Sequence, residues 1–198
     1  MIAKQSRFFG VVRDIDAANA GDPRIDIVDG AARPRESVYA ERMTQCLTRL
    51  YPDASEALRI AARAQHICRW QVPRASYPLG RDGYNSWRGA CRDHHAALIS
   101  DILRRHDYDG TEIANIVGII KKEALKANPD SQALENVVGV VFAAYYLAPF
   151  VSDHPDYDEA KLLGIIKRTL RKMDATGRAG ILALSLPEAH RRLIEAAL

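Results

Sequence analysis

Two histidines and one glutamate of this 198-residue chain fall on otherwise apolar helical stripes: His66, His95 and Glu135. A carboxylate turned inward on a segment as apolar as residues 134–147 is costly unless it is paired, protonated or metal-bound. Two imidazoles and a carboxylate suit manganese, iron, zinc or nickel, and helical bundles build such sites from facing helices. A divalent transition metal (Mn, Fe, Zn or Ni) on His66, His95 and Glu135 is one reading of this set, and it becomes the expected cofactor only with the distant resemblance given below. A blander alternative stands beside it. Each histidine also reads as a hydrogen-bonded core residue and Glu135 as the partner of an arginine, because ligands so far apart in the chain have no diagnostic spacing.

Arginine is the second feature. Arg59, Arg63, Arg69, Arg74, Arg81, Arg88 and Arg92 run through one stretch, interleaved with Trp70, Tyr77, Tyr84 and Trp87. Forked guanidinium donors match phosphate or carboxylate, and aromatic faces stack rings. Arg69, Trp70, Arg74 and Arg81 are thus candidate contacts for a small anionic metabolite or nucleotide, whereas Arg59 and Arg63 read as a solvated helix face. Lys121 and Lys122 close a helix, where the dipole alone accounts for cations. They gain a functional alternative if one of them turns toward Glu135. A Cys/His nucleophile can be drawn from Cys68 or Cys91 with His66 or His94-His95, but apolar flanks favour plain buried thiols. The sequence contains no G-x-S-x-G, no glycine-rich phosphate loop and no H-E-x-x-H.

The elements that must position these residues read as helices. Apolar periodicity between turn signals predicts segments near 7–20, 36–51, 54–70, 84–107, 111–123, 131–150, 157–173 and 187–198, with a short turn of helix near 176–184. One stripe carries Leu58, Ala62, His66 and Trp70; another carries Cys91, His95, Leu98, Ile99 and Ile102; a third carries Glu135, Val138, Phe142 and Tyr145. Arg24 to Val28 alternates only briefly. The expected fold is all-α, a single-domain bundle of about 8 helices over residues 1–198. The connection from Gln71 to Arg81 is long for a bundle, which makes it a candidate functional loop.

Composition agrees with a packed domain: 47% apolar, 27% charged and a net charge of +3. Acidic residues nearly balance basic ones, which disfavours a nucleic-acid groove. Three cysteines without a C-x-x-C spacing read as unpaired thiols in a reducing compartment. Met1 to Gly10 carries Lys4 and Arg7 without an apolar run, so no secretory signal is expected. The longest apolar run, Val137 to Val151, is broken at Pro149 and reads as a core helix, so no membrane partner and a cytoplasmic location are expected.

Two resemblances follow from particular runs. Leu58 to Trp70, with Pro73-Arg74, Tyr77-Pro78 and Gly80-Arg81, resembles a family of about this length classed only as a domain of unknown function. Asn19-Ala20, Asp22-Pro23, Tyr39 with Arg42-Met43, Lys121 to Lys126 and Gln132 to Val138 extend that likeness from Asp16 to about Met173. More distantly, the order of Tyr39-x-x-Arg42-Met43, the helix ending in His66, His95, Ile113 to Ile120 and Leu134-Glu135 is similar to the HD-domain superfamily of metal-dependent phosphohydrolases. That likeness implies an HD-like core over about 36–151 with helices of 157–198 packed on it. It sets Tyr39 at the first metal histidine, His66-Ile67 at the His-Asp dyad, His95 at the histidine that often follows, and Glu135 at the late aspartate, with Glu41 as a substitute for the first ligand. Tyr39 and Arg42 join the expected substrate contacts on this basis.

The missing dyad aspartate leaves a mononuclear His66/His95/Glu135 set. The expected function is a metal-dependent hydrolase of a small anionic, phosphorylated or nucleotide-like substrate. Arg69, Arg74 and Arg81 would neutralise it, and Lys121 or Lys122 would stabilise charge. The alternatives are a non-catalytic ligand- or partner-binding protein on a degenerate HD-like fold and an iron-dependent oxygenase.

Overall fold

The computed structural model describes residues 2–198. Among them are ten α-helices: α1 Ile2–Asn19, α2 Arg35–Leu50, α3 Glu56–Ala64, α4 Gly80–Arg105, α5 Gly110–Lys121, α6 Pro129–Val141, α7 Leu147–Ser152, α8 Glu159–Lys172, α9 Ala175–Leu182 and α10 Glu188–Glu195. The protein is all-α apart from one antiparallel hairpin, β1 Ile25–Val28 paired with β2 Ala31–Pro34. The left-handed Asp29 and Gly30 (φ 51° and 78°) form its two-residue turn, a conformation suited to Asp-Gly. The sequence reading left this hairpin out, and its two strands of 4 residues are too short for alternation to stand out.

Helix starts follow local chemistry. Asp109 and Glu112 form a reciprocal capping box on α5, and Asn128 caps α6 ahead of Pro129. Ser55, Asp158 and Asp174 cap α3, α8 and α9 with side-chain oxygens. Helix α3 lies at the centre, packed against α1, α2, α5 and α6. Its EALRIAARA sequence buries Leu58, Ile60, Ala61, Ala62 and Ala64, and the alanines let neighbours approach closely.

Helix α6 is the second core element. The stripe it buries is Ala133, Leu134, Val137, Val140 and Val141, whereas Tyr145 of the expected stripe is 44% exposed. The reason is a π-turn, Phe142–Tyr146, that rotates the following residues before α7 resumes. The continuous Pro129–Ser152 helical run contains an 18-residue window of mean hydropathy 1.6, long and apolar enough to cross a membrane by length and composition, and half of that window is buried inside the fold.

The third segment also departs from expectation. Its helix stops at Ala64 rather than Trp70, and His66 lies in the turns that follow. The long connection to α4 is partly ordered as two 3-10 turns, Arg69–Gln71 and Arg74–Ser76.

Candidate functional site

The end of α3 decides where the site forms. Cys68 adopts a left-handed conformation (φ 50°), which costs a non-glycine residue free energy and must be held by its surroundings. Its backbone N–H donates to Asn19 Oδ1 at 3.1 Å, and its carbonyl lies 3.3 Å from His94 Nε2. This reversal brings His66 and Arg69 together. Arg69 Nη1 lies 3.3 Å from His66 Nδ1 and contacts Nε2 more closely. A guanidinium only donates, so Nε2 accepts and the ring proton is assigned to Nδ1. The face of the His66 ring stacks on Tyr39 of α2 (centroids 3.8 Å apart, planes 10° apart), and His95 of α4 is tilted 5.9 Å away.

Glu36, on the first turn of α2, completes the cluster. Its Oε2 lies 3.5 Å from His66 Nδ1, while Oε1 accepts from Arg24 at 2.7 Å. Arg24 also holds fully buried Asp22 through two bonds of 3.0 and 2.9 Å. Asp22 Oδ2 accepts the Glu36 backbone N–H, so the residues leading into the hairpin are tied to the helix that follows it.

A second buried pair lies nearby. Lys122 caps α5 in the left-handed region (φ 59°), and its ammonium contacts Glu135 Oε2 of α6. Side-chain exposure is 11% for Lys122 and 8% for Glu135. Lys172 Nζ stands 3.9 Å from the other carboxylate oxygen. Burial alone would raise the Glu135 carboxyl, but Lys122, Lys172 and Arg88 outweigh it and hold it below its ordinary value. Burial lowers the Lys122 ammonium despite its partner. The adjacent Lys121 pairs with exposed Asp93 at 2.9 Å, which takes it out of the expected site.

The Glu135 carboxylate is therefore engaged by lysine and does not join the histidines. Among the described residues, no three His, Cys, Asp or Glu side chains are grouped to hold a metal ion. The expected His66/His95/Glu135 ligand set is not assembled. Glu41 is likewise bound to Arg33.

Over residues 10–194 the sequence matches the family described as Domain of unknown function (DUF4202). The chain belongs to that family. No curated protein and no solved structure matches it. The DUF4202 match spans every residue of the cluster, from Asp22 to Glu135.

In this DUF4202 member the remaining expected contacts divide. Trp70 packs against the core, near Gly21 at the end of α1, and Arg74 donates to the carbonyls of Tyr77 and Pro78 at 2.9 Å each, stapling the connection. Arg81 is exposed on the first turn of α4. Arg42 donates to the Tyr146 hydroxyl at 3.1 Å and reaches Tyr39 only through that ring. Arg69 stays in the cluster, beside His66 and 4.7 Å over Trp87. Four contributors are not evident from the sequence: Glu36 is a first-turn acid that the helix dipole alone would explain, Arg24 and Asp22 depend on the hairpin, and Arg88 is one of a run of arginines.

The electrostatics favour a bound anion. Burial, reinforced by the charges of Arg69, Lys122, Arg88 and Arg24, holds His66 well below its ordinary pKa. Burial and the nearby His66 and Arg69 do the same to His95. Both rings are neutral at pH 7. Among the described residues neither Arg69 nor Arg88 pairs with a carboxylate, and both ring nitrogens of His95 (2% exposed) lack a hydrogen-bond partner. All three cysteines are free and buried, and burial raises their thiols, as suits plain buried thiols.

The depressed histidines set a sign for pH dependence. Their stabilising contribution is complete above the unfolded value near 6.5 and is lost as pH falls below it, at about 1.4 kcal/mol per pH unit for each ring. Glu36, raised by burial, acts in the opposite sense at lower pH. Denaturant unfolding of the wild type and His95→Asn from pH 7.5 to 5.5 should show the stability gap narrowing toward acid. A gap independent of pH would mean that His95 is not held neutral.

Proposed function

We propose that this domain binds a small anion of the phosphate-ester class, with Arg69 and Arg88 neutralising it beside His66 and His95. One observation carries this: Arg69, without a carboxylate in salt-bridge reach, contacts a neutral His66 that also feels the charge of Arg88, and buried His95 beside it has both nitrogens open. A buried polar group without a partner costs free energy that a bound ligand would recover. The distant HD-domain likeness agrees with a phosphorylated ligand, although its metal-ligand pattern does not fit these residues. No chemical step is therefore derived through a metal.

Hydrolysis of the bound ester is a second reading, supported by the His66–Glu36 pair. Nδ1–H faces a carboxylate oxygen at 3.5 Å, the arrangement that orients an imidazole to accept a proton at Nε2 once Arg69 has turned to the ligand.

Calorimetric titration of the protein with inorganic phosphate at pH 7 is expected to show saturable one-to-one binding. Heats no larger than dilution, for both phosphate and a nucleoside monophosphate, would contradict the proposal. Elemental analysis addresses the abandoned ligand set. Folded Glu135→Ala should carry the same transition-metal content as the wild type, whatever that content is. Selective loss of metal from Glu135→Ala would restore Glu135 as a ligand.

A further inference from the structure

We infer that the anion bound at this cluster is a hydroxylated phosphate ester, of the sugar-phosphate class, rather than a simple alkyl phosphate. The inference rests on the anion-binding proposal and narrows its ligand. A phosphate monoester dianion offers only acceptors, and Arg69 and Arg88 supply matching donors. Two buried groups are left that acceptors cannot satisfy. The Glu36 side chain is 4% exposed, and its Oε2 has no hydrogen bond although it lies 3.5 Å from His66 Nδ1. As a carboxylate oxygen it only accepts, so whatever occupies its remaining lone pair must donate.

His95 makes the same demand. A neutral imidazole carries one N–H donor and one bare acceptor nitrogen, and neither is satisfied here. A simple alkyl phosphate dianion can take the N–H, but it leaves the bare nitrogen and Glu36 Oε2 facing further lone pairs. A hydroxyl both donates and accepts. One or two hydroxyls on the carbon skeleton beside the phosphate answer both groups together. His95 lies 5.9 Å from His66, close enough for one small molecule to touch both rings. The stacked Tyr39–His66 pair stands beside this space.

The test uses the intact protein and three probes at pH 7: inorganic phosphate, methyl phosphate and ribose 5-phosphate. Ribose 5-phosphate is expected to bind at least about tenfold more tightly than methyl phosphate, the ratio for one or two hydrogen bonds made to buried groups. In His95→Phe, which keeps an aromatic ring but no ring nitrogen, that ratio should fall to within about twofold. Equal affinity of ribose 5-phosphate and methyl phosphate in the wild type would overturn the inference while leaving the anion proposal intact. Failure of all three probes to bind would overturn both. The comparison within the wild type decides the matter even if His95→Phe does not fold.

Discussion

Lys122→Met is expected to lower the free energy of unfolding by about 3–5 kcal/mol, the usual cost of stranding one charge of a buried ion pair. The Glu135 carboxylate is 8% exposed and takes its main compensation from Lys122. Lys172 stands 3.9 Å away but is 44% exposed, so it makes up only part of the loss. Adding Glu135→Leu to Lys122→Met should recover most of the stability, because a buried pair replaced by apolar side chains of similar volume is close to neutral. Urea unfolding of the two single variants and the double variant measures this directly. Additive losses in the double variant would show that Lys122 and Glu135 do not depend on one another.

Arg69→Ala should weaken phosphate binding by about 10- to 100-fold, the range for removing one charge-assisted hydrogen-bonding group. Arg69 is the cation that touches His66, and its guanidinium is pre-positioned by Trp87 at 4.7 Å. Arg69→Lys should recover only part of the affinity, since an ammonium keeps the charge but loses the planar fork. Calorimetry with inorganic phosphate reads both variants, and circular dichroism controls for folding. Unchanged affinity in folded Arg69→Ala would remove Arg69 from the site. The same substitution at Arg74 should have little effect on affinity, because its donors are spent on the Tyr77 and Pro78 carbonyls.

Much of the architecture is legible in local chemistry. The Asp109/Glu112 box and Asn128-Pro129 mark helix starts without any tertiary knowledge. The end of α3 is different. Nothing in Gln65 to Cys68 breaks a helix, and His66 and Trp70 continue the four-residue spacing of Leu58 and Ala62. What ends it is the left-handed Cys68, tied to Asn19 some fifty residues earlier in the chain. Asn19 reads locally as a helix stop, and its second role exists only in the folded molecule.

The site was legible in part for the same reason. His66, His95 and Glu135 stand out as polar residues on apolar stripes, Arg69 as one of an arginine run and Lys122 as a cation closing a helix; the fold buries His95 and Glu135 and half-buries His66 and Arg69. Their grouping was not readable. Burial identifies a carboxylate that needs a partner, but not whether that partner is a metal, an arginine or a lysine. Lys122 turns inward because its backbone is left-handed, whereas Lys121, one residue earlier, reaches outward to Asp93. Helical phase alone separates those two lysines by about 100° without saying which faces in. Glu36 escaped notice because its position on a first turn gives any acid a sufficient local explanation.

The most direct test of the anion site is a titration of the protein with inorganic phosphate at pH 7, followed by nitrogen NMR of the histidine rings. Before phosphate is added, His66 and His95 should both report neutral imidazoles, with His66 protonated on Nδ1. As phosphate saturates the site, both rings should shift together along one binding curve, and in Arg69→Ala that curve should move to much higher phosphate. Rings that stay fixed while phosphate binds elsewhere, or that never respond, would contradict an anion site at His66 and His95.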